Sequence, residues 1–535
     1  MKKKVNLFLI LFFQLVLVGG QTEGIRVGNI NMDTVWASDT VHLQQNIIID
    51  DSATLTILNG VYIEFQGNFS IQVYGNVIAF GSLEDSITFT IKDTTSFCDT
   101  ATYEGGWGGI RFMPVERSDT SFFNYCKFEY GKAVVPGLPG AEFVNEENMG
   151  GCIYALQYNN IVIRNSNFTN NHSNYMGGAV YIENCNYIEI ENCTFLRNST
   201  YMNGGGVAIV KATKFNILEN FFYKNTALWV INNVAGTGGG SGLYITLGAT
   251  NGTGNVYSNK FYNNKSVNGA FYENCLNIKV CNNVVANNYG IGMTQAMSIT
   301  YNSIYANNTI VNNWGWIVPA LWFNSTQTTM INNIIWGNGS ASFYGHQIYD
   351  IDGSKVADIK YSCIENGYPG NGNIDQNPDF VNPTAGYGLD YDAMDADWAL
   401  LDNSPCINTG TPDTTWLNLP PLDLAGNPRI YGGRIDMGAY ENQVVVGLQP
   451  KPMVSADIEI APNPFNDRFS IHFLPDNKIH RITIRNQAGV TVKKLEQLPI
   501  SGLLTIDLQD CSPGLYVVIV EYANGTMKMK KLLKV

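Results

Sequence analysis

The sequence predicts an all-β protein in which a solenoid of short stacked strands is followed by a small β-sandwich. Three observations carry this. First, the phrase Phe-x-x-Asn recurs as Phe168-Thr-Asn-Asn171, Phe195-Leu-Arg-Asn198 and Phe222-Tyr-Lys-Asn225, each 27 residues after the last, and Phe261-Tyr-Asn-Asn264 follows 39 residues on. Such a period marks an architecture whose single unit cannot bury its apolar face and must stack on its neighbours. Second, alternating runs precede each copy: Asn160-Ile-Val-Ile-Arg164, Tyr187-Ile-Glu-Ile-Glu191, Phe215-Asn-Ile217 and Asn277-Ile-Lys-Val-Cys281. Apolar residues at every second position are the period of a strand, not of a helix. Third, beyond Pro450 and Pro452 the repeat gives way to short alternating strands separated by turn residues.

The corners between strands are rich in Asn and Gly because a sharp bend calls for positive φ, which these residues tolerate best. Gly-Gly steps recur at Gly150-Gly-Cys-Ile-Tyr154, Gly177-Gly-Ala-Val-Tyr181 and Gly205-Gly-Val-Ala-Ile209. Stacked Asn side chains can hydrogen-bond along the coil axis. Phe168, Phe195, Phe222 and Phe261 are expected to form one aromatic column, with coils about 4.8 Å apart. A leucine-rich repeat of similar period needs Leu-rich spacing and a helical arm, and neither is visible. The fold expected is therefore a right-handed parallel β-helix. Residues 140–345 resemble the repeat family of that name, and Gly177-Gly-Ala-Val180 with the Phe-x-x-Asn phrase is similar to repeats of polymorphic outer-membrane adhesins.

In chain order, residues 1–20 read as a signal peptide: Lys2, Lys3 and Lys4, an apolar stretch from Val5 to Val18, then Gly19-Gly20. The apolar stretch is shorter than the roughly 20 residues of a spanning helix, and no other membrane-spanning run is present. Residues 21–135 read as N-terminal cap and entry coils, with Ala53-Thr-Leu-Thr-Ile57 and Ser86-Ile-Thr-Phe-Thr-Ile91 as strands. Residues 136–362 hold the repeats. The interval from Asn225 to Asn264 carries 12 residues more than one period, with Trp229 and a Gly-rich run, and is expected to emerge as a loop.

Residues 363–441 resemble the closing segment of secreted β-helix proteins with interchangeable C-terminal anchors. The phrases are Asp375-Gln-Asn-Pro-Asp-Phe380, Ser404-Pro-Cys-Ile-Asn408 and Asp436-Met-Gly-Ala-Tyr-Glu441. That resemblance implies a cap packed on the last coil. Residues 442–456 read as a linker. Residues 457–535 read as an immunoglobulin-like β-sandwich. The Pro462-Asn-Pro464 entry, the Gly514-Leu-Tyr516 strand and the basic-apolar end Lys530-Lys-Leu-Leu-Lys-Val535 resemble a type A sorting domain of type IX secretion. This implies passage across the outer membrane of a gram-negative bacterium, with release or surface attachment, and contact with the secretion machinery.

The net charge of −13 becomes −16 without the three leading lysines. An acidic surface argues against nucleic acid as a partner. The ten cysteines show no zinc or redox spacing. Cys185/Cys193 and Cys275/Cys281 are the closest pairs and read as small core residues, while export permits disulfides.

No catalytic phrase is evident. A polysaccharide lyase needs a base and cations for the developing enolate. Arg197 and Lys224, at one repeat position one coil apart, are the candidates for a basic spot. A glycoside hydrolase needs two suitably spaced carboxylates, for which Glu183, Glu189, Glu191 and Glu219 are available. His172 reads as a surface residue. Asp390, Asp392, Asp395 and Asp397 have calcium-like carboxylate density but lack the regular calcium-loop pattern, so a polar cap loop and no cofactor is the expectation, with calcium as the alternative. Trp314-Gly-Trp316 would place two indoles on one strand face, with Trp322 and Trp336 nearby, as an aromatic platform for sugar rings, and Trp229 lies in the insertion. The reading favoured is an adhesin-like binder of glycans or surfaces that contacts ligand through Arg197, Lys224, Trp229, Trp314 and Trp316; a lyase or hydrolase of an acidic polysaccharide is the alternative.

Overall fold

A computed structural model describes residues 23–443 and 459–534, except 27, 116–119, 138–145, 228–229, 232–233, 236–237, 248–251, 292, 296–302, 316–319, 324–327, 342–346, 351–356, 464, 473–478, 487–489, 497–502 and 523–526. The chain divides into two compact units, Met1–Val446 and Gly447–Val535. No α-helix occurs among the described residues.

The first unit is a parallel β-helix. Successive coils add one strand to each of three long sheets. Among the described residues, sheet one has 13 strands, from Glu23–Arg26 to Cys363–Ile364. Sheet two has 11, from Ile47–Ile49 to Ile348–Asp350, and sheet three has 12, from Thr34–Trp36 to Ala357–Lys360. A shorter fourth sheet runs from Lys132–Ala133 to Lys265–Ser266.

Register follows the repeat. Phe128, Phe168, Phe195, Phe222 and Phe261 are successive partners on the inner face of sheet one. Their rings stack 4.7–4.9 Å apart, and Phe89 joins the column from the entry coils at 4.8 Å. Beyond Phe261 the column continues as Val285, Ile310 and Ile335.

The Asn of each phrase turns inward. Asn171, Asn198, Asn225, Asn264, Asn288, Asn313 and Asn338 form a ladder. Each side-chain oxygen accepts the backbone and amide N–H groups of the Asn one coil earlier, at 2.8–3.0 Å. A second ladder joins Asn220, Asn259, Asn283, Asn308 and Asn333 at a different corner. A buried amide is stable only when its donors and acceptors are matched, and a column of identical residues matches them at every coil.

The residue before each ladder Asn takes the left-handed corner: Asn170, Arg197, Lys224, Asn263, Asn287 and Asn312 have φ of 51–56°. The Gly-Gly step has an equally local cause. Gly150, Gly177 and Gly204 have φ of 62–73°. A Cβ on Gly151, Gly178 or Gly205 would lie 2.1–2.4 Å from the carbonyl oxygen of the next coil. The third step thus begins at Gly204, one residue earlier than its sequence phrase suggested, because Tyr154, Tyr181 and Ala208 are the aligned residues. The insertion carries a small antiparallel hairpin, Val230–Ile231 with Val234–Ala235.

The closing segment does more than cover the last coil. Ile374 bridges to Cys363 at the free edge of sheet one. The chain then runs back along the outer face of that sheet, burying Tyr262, Val284, Val311 and Ile334 against Phe380, Trp398, Ile407 and Met437. Corner asparagines receive it: Asn263 bonds Tyr391 and Ala393, Asn287 bonds Gly386, Asn307 bonds Asp436, and Asn332 bonds Thr411. Inside the segment, Arg429 pairs with Glu441 at 2.9 Å, both almost fully buried.

The second unit has two antiparallel sheets, of three and four strands among the described residues, around Phe465, Phe469, Ile471, Ile484, Tyr516 and Val518. Asn463 of the Pro-Asn-Pro entry accepts the Leu533 N–H at 2.8 Å. The Lys534 ammonium is buried against the carbonyls of Leu508, Gln509 and Cys511.

Candidate functional site

Among the described residues, those singled out in the sequence do not converge. Arg197 is exposed at its left-handed corner, φ 53°, and its side chain makes no ion pair among the described residues. Lys224 occupies the equivalent corner one coil on, but its ammonium lies 2.8 Å from the Asp392 carboxylate of the closing segment. Tyr223 also donates to Asp392, at 2.6 Å. The pair of adjacent cations that a lyase reading requires is thereby reduced to Arg197. Trp314 lies three coils beyond Lys224 along the fourth-sheet line. It packs on Tyr289 at 5.1 Å, and Gly388 of the closing segment abuts its Cβ. Trp229 and Trp316 lie outside the described residues.

Other candidates are also committed elsewhere. Glu189 and Glu191, on the outer face of sheet three, are both held by Arg164, and Tyr187 donates to Glu189. Two carboxylates tied to one guanidinium form an ion-pair network rather than a separated acid and base. His172, expected at the surface, is buried and bonded to Ser199 and Asn174; desolvation pushes its pKa down to about 4, so it is neutral at physiological pH. Among the described residues, no group of three or more His, Cys, Asp or Glu side chains is placed to hold a metal ion.

The outer face of sheet two collects what those positions lack. Gln72, Arg111, Tyr154, Tyr181, Ala208, Tyr244 and Tyr272 are successive register partners, each one coil from the next. The period of two turns this column outward while Ile110 and Phe112 point into the core. Tyr154 and Tyr181 stack at 5.7 Å beneath Met149 and Met176, whereas Tyr244 and Tyr272 stack at 4.9 Å and are only half-buried. Trp322 continues the same column two coils beyond Tyr272.

At the N-terminal end of the column lies an open cleft of about 300 Å³, lined by Gln72, Tyr103, Arg111, Lys132, Glu146 and Tyr154 among others. Arg111 Nε donates to the Gly108 carbonyl at 2.7 Å and Nη1 to that of Met149 at 2.5 Å; its guanidinium carbon sits 5.5 Å from the centre of the Tyr154 ring. Burial lowers its pKa to about 10, so it stays charged at neutral pH. Nη1 also reaches the Glu146 carbonyl at 3.4 Å. The Lys132 ammonium is likewise spent on the carbonyls of Ser96, Asp99 and Glu104. The arrangement pairs fixed hydrogen-bond donors and acceptors with aromatic faces, the combination that holds a sugar ring by its hydroxyls and its apolar side. Sequence reading did not single out Arg111 because its setting is made by the loop around 146–149, and no periodic signal marks that.

The sandwich unit decides where the protein acts. Residues 459–534 match the secretion system C-terminal sorting domain family. The sorting domain directs the chain by type IX secretion to the outer-membrane surface or the medium, and implies contact with that machinery. No curated protein matches the chain. No helix among the described residues is long and apolar enough to cross a membrane.

Proposed function

We propose that the coil unit is an adhesin-like body that binds glycan chains outside the cell, through the outer face of sheet two. The observation that carries this is the single register column running from Gln72 and Arg111 to the partly exposed Tyr244 and Tyr272. It places a charged hydrogen-bonding cleft and an aromatic platform on one straight line. A linear polymer lying along the coil axis meets the Arg111 cleft near one end and the Tyr244–Tyr272 pair farther on, with the buried Tyr154, Tyr181 and Ala208 between them, and separate weak subsites on one rigid body add to a useful affinity. Export by the sorting domain supplies the location such a role requires.

The test is retention of the full chain on immobilised acidic and neutral polysaccharides, run beside an ultraviolet assay for unsaturated products and a reducing-sugar assay. Retention on at least one polymer without turnover agrees with the proposal. Robust depolymerisation would replace it with the lyase or hydrolase reading, and no retention on any polymer would remove it.

A further inference from the structure

Two cysteines distant in sequence meet where the closing segment crosses the end of the coils. Cys363 lies on the last strand of sheet one, with its neighbour Ile364 in the core and its own side chain on the outer face, fully buried. Cys406 is equally buried and belongs to the same apolar cluster. The Cys363 S–H donates to the Gln376 carbonyl at 3.0 Å, and two residues on, the Pro378 carbonyl accepts from the Ser404 hydroxyl, which itself accepts the Cys406 N–H at 3.2 Å; the two thiols are close enough that Cys363 pushes the Cys406 pKa up. The backbone on both sides is fixed: Cys363 N–H donates to Asn333 at 2.8 Å, and Met437 N–H donates to the Cys406 carbonyl at 3.0 Å. Cys126, Cys152 and Cys193 likewise direct their thiols at backbone carbonyls, but none of them lies where the closing segment meets the last coil. The pairs closest in sequence are therefore not the informative ones.

We propose that in the exported protein Cys363 and Cys406 are joined by a disulfide that fastens the closing segment to the last coil. Two buried thiols of one apolar cluster, on backbones tied together by the bonds of Cys363 to Asn333, of Gly438 to Asn332 at 2.7 Å and of Met437 to Cys406, lie where disulfide geometry is within reach. The route out of the cell crosses the periplasm, where disulfides form and persist. The step is thiol–disulfide exchange with a protein disulfide oxidant. One cysteine thiolate attacks the oxidant's disulfide, giving a mixed disulfide; the other then displaces the oxidant. One S–S bond forms in this chain, and the oxidant leaves as a dithiol carrying the two electrons and two protons. Both sulfurs are inaccessible once the segment is seated, so exchange precedes seating. The product is a covalent clasp at the one end of the solenoid where an unpaired strand edge must stay covered.

The experiment uses the full chain collected after export from a host with type IX secretion. Free thiols are alkylated under denaturing conditions without reduction, and the chain is cut by a Glu-specific protease, which cleaves between the two cysteines at Glu365. The expected result is a peptide containing Cys363 joined to one containing Cys406, lighter than their sum by two hydrogens and separated by reductant. Alkylation of both residues, or linkage of either to a different cysteine, would overturn the proposal. In exported Cys406→Ser, Cys363 should gain the alkyl label and the segment 366–441 should be digested several-fold sooner; unchanged labelling of Cys363 would likewise overturn it. If that variant is not exported, the peptide map of the unaltered chain decides alone.

Discussion

The Lys224 ammonium and the Asp392 carboxylate, separated by 168 residues of sequence, meet at 2.8 Å. This contact turns a residue that resembles a ligand-binding cation into an anchor for the closing segment. Both side chains remain partly exposed, so the pair contributes only about 0.2–1 kcal/mol. Lys224→Ala should leave polysaccharide retention unchanged and barely move the thermal midpoint. Arg197→Asn, at the equivalent left-handed corner, should raise stability by about 0.5–1 kcal/mol, because Asn accepts positive φ more readily than Arg. Calorimetry and retention measured on the two variants check both statements; loss of retention in either would return these corners to the binding site.

If the outer face of sheet two is the binding surface, Tyr244→Ala and Tyr272→Ala should each weaken retention by about tenfold at most, the scale of one aromatic contact. Arg111→Met should weaken it comparably while keeping the side chain's apolar stem. Affinity electrophoresis in a gel containing the polymer reads these shifts directly. Equal mobility of all three variants and the unaltered chain would remove this face from consideration.

Asn198 sits mid-ladder, fully buried, accepting from Asn171 and donating to Asn225 and to the Phe168 carbonyl. Asn198→Ala leaves the Asn171 backbone and amide N–H groups without their acceptor and takes a donor from the Phe168 carbonyl and the Asn225 side-chain oxygen, and should cost at least about 3 kcal/mol. Phe195→Ala, which breaks the ring stack, should cost about 3–5 kcal/mol. Urea unfolding monitored by circular dichroism gives both values, and a midpoint unchanged by Asn198→Ala would mean that the ladder is incidental.

Burial raises the carboxyl of Asp436 to about 6 and that of Glu441 to about 7, against the backbone N–H groups and Arg429 that favour ionisation. A folded pKa above the unfolded one means that the native state holds the extra proton. The stability these groups contribute is therefore present at acid pH and is lost as pH rises through about 6–7. Protease cleavage within 366–441 should be faster near pH 8 than near pH 5 when corrected for intrinsic protease activity, and Glu441→Gln should flatten the difference. Arg429→Met strands a buried carboxylate and should loosen the segment most at high pH.

In the sorting domain, the buried Lys534 ammonium is the donor to the carbonyls of Leu508, Gln509 and Cys511. Lys534→Ala should lower the module's thermal midpoint and leave the chain on the periplasmic side of the outer membrane. Immunoblots of periplasm, surface and medium read the outcome, and normal export of the variant would show that the buried ammonium is dispensable.

The sequence by itself determined the coil. Alternation within a strand is a two-residue pattern, and stacking brings like residues together, so a repeated Phe and a repeated Asn announce their columns without any knowledge of distant contacts. The corner asparagines and the Gly-Gly steps were legible for the same reason, since positive φ and close backbone approach select residue types locally. The sorting domain carried its own local phrases. Only the tertiary structure decided which outward positions are free. Lys224 and Trp314 were covered by a segment whose path along sheet one has no periodic signature, His172 was buried in a corner, and Arg111 gained its setting from a loop after Glu146. Cys363 and Cys406 met for the same reason: a solenoid's repeats encode contacts one coil apart, whereas a chain that doubles back along its flank makes contacts that no repeat describes.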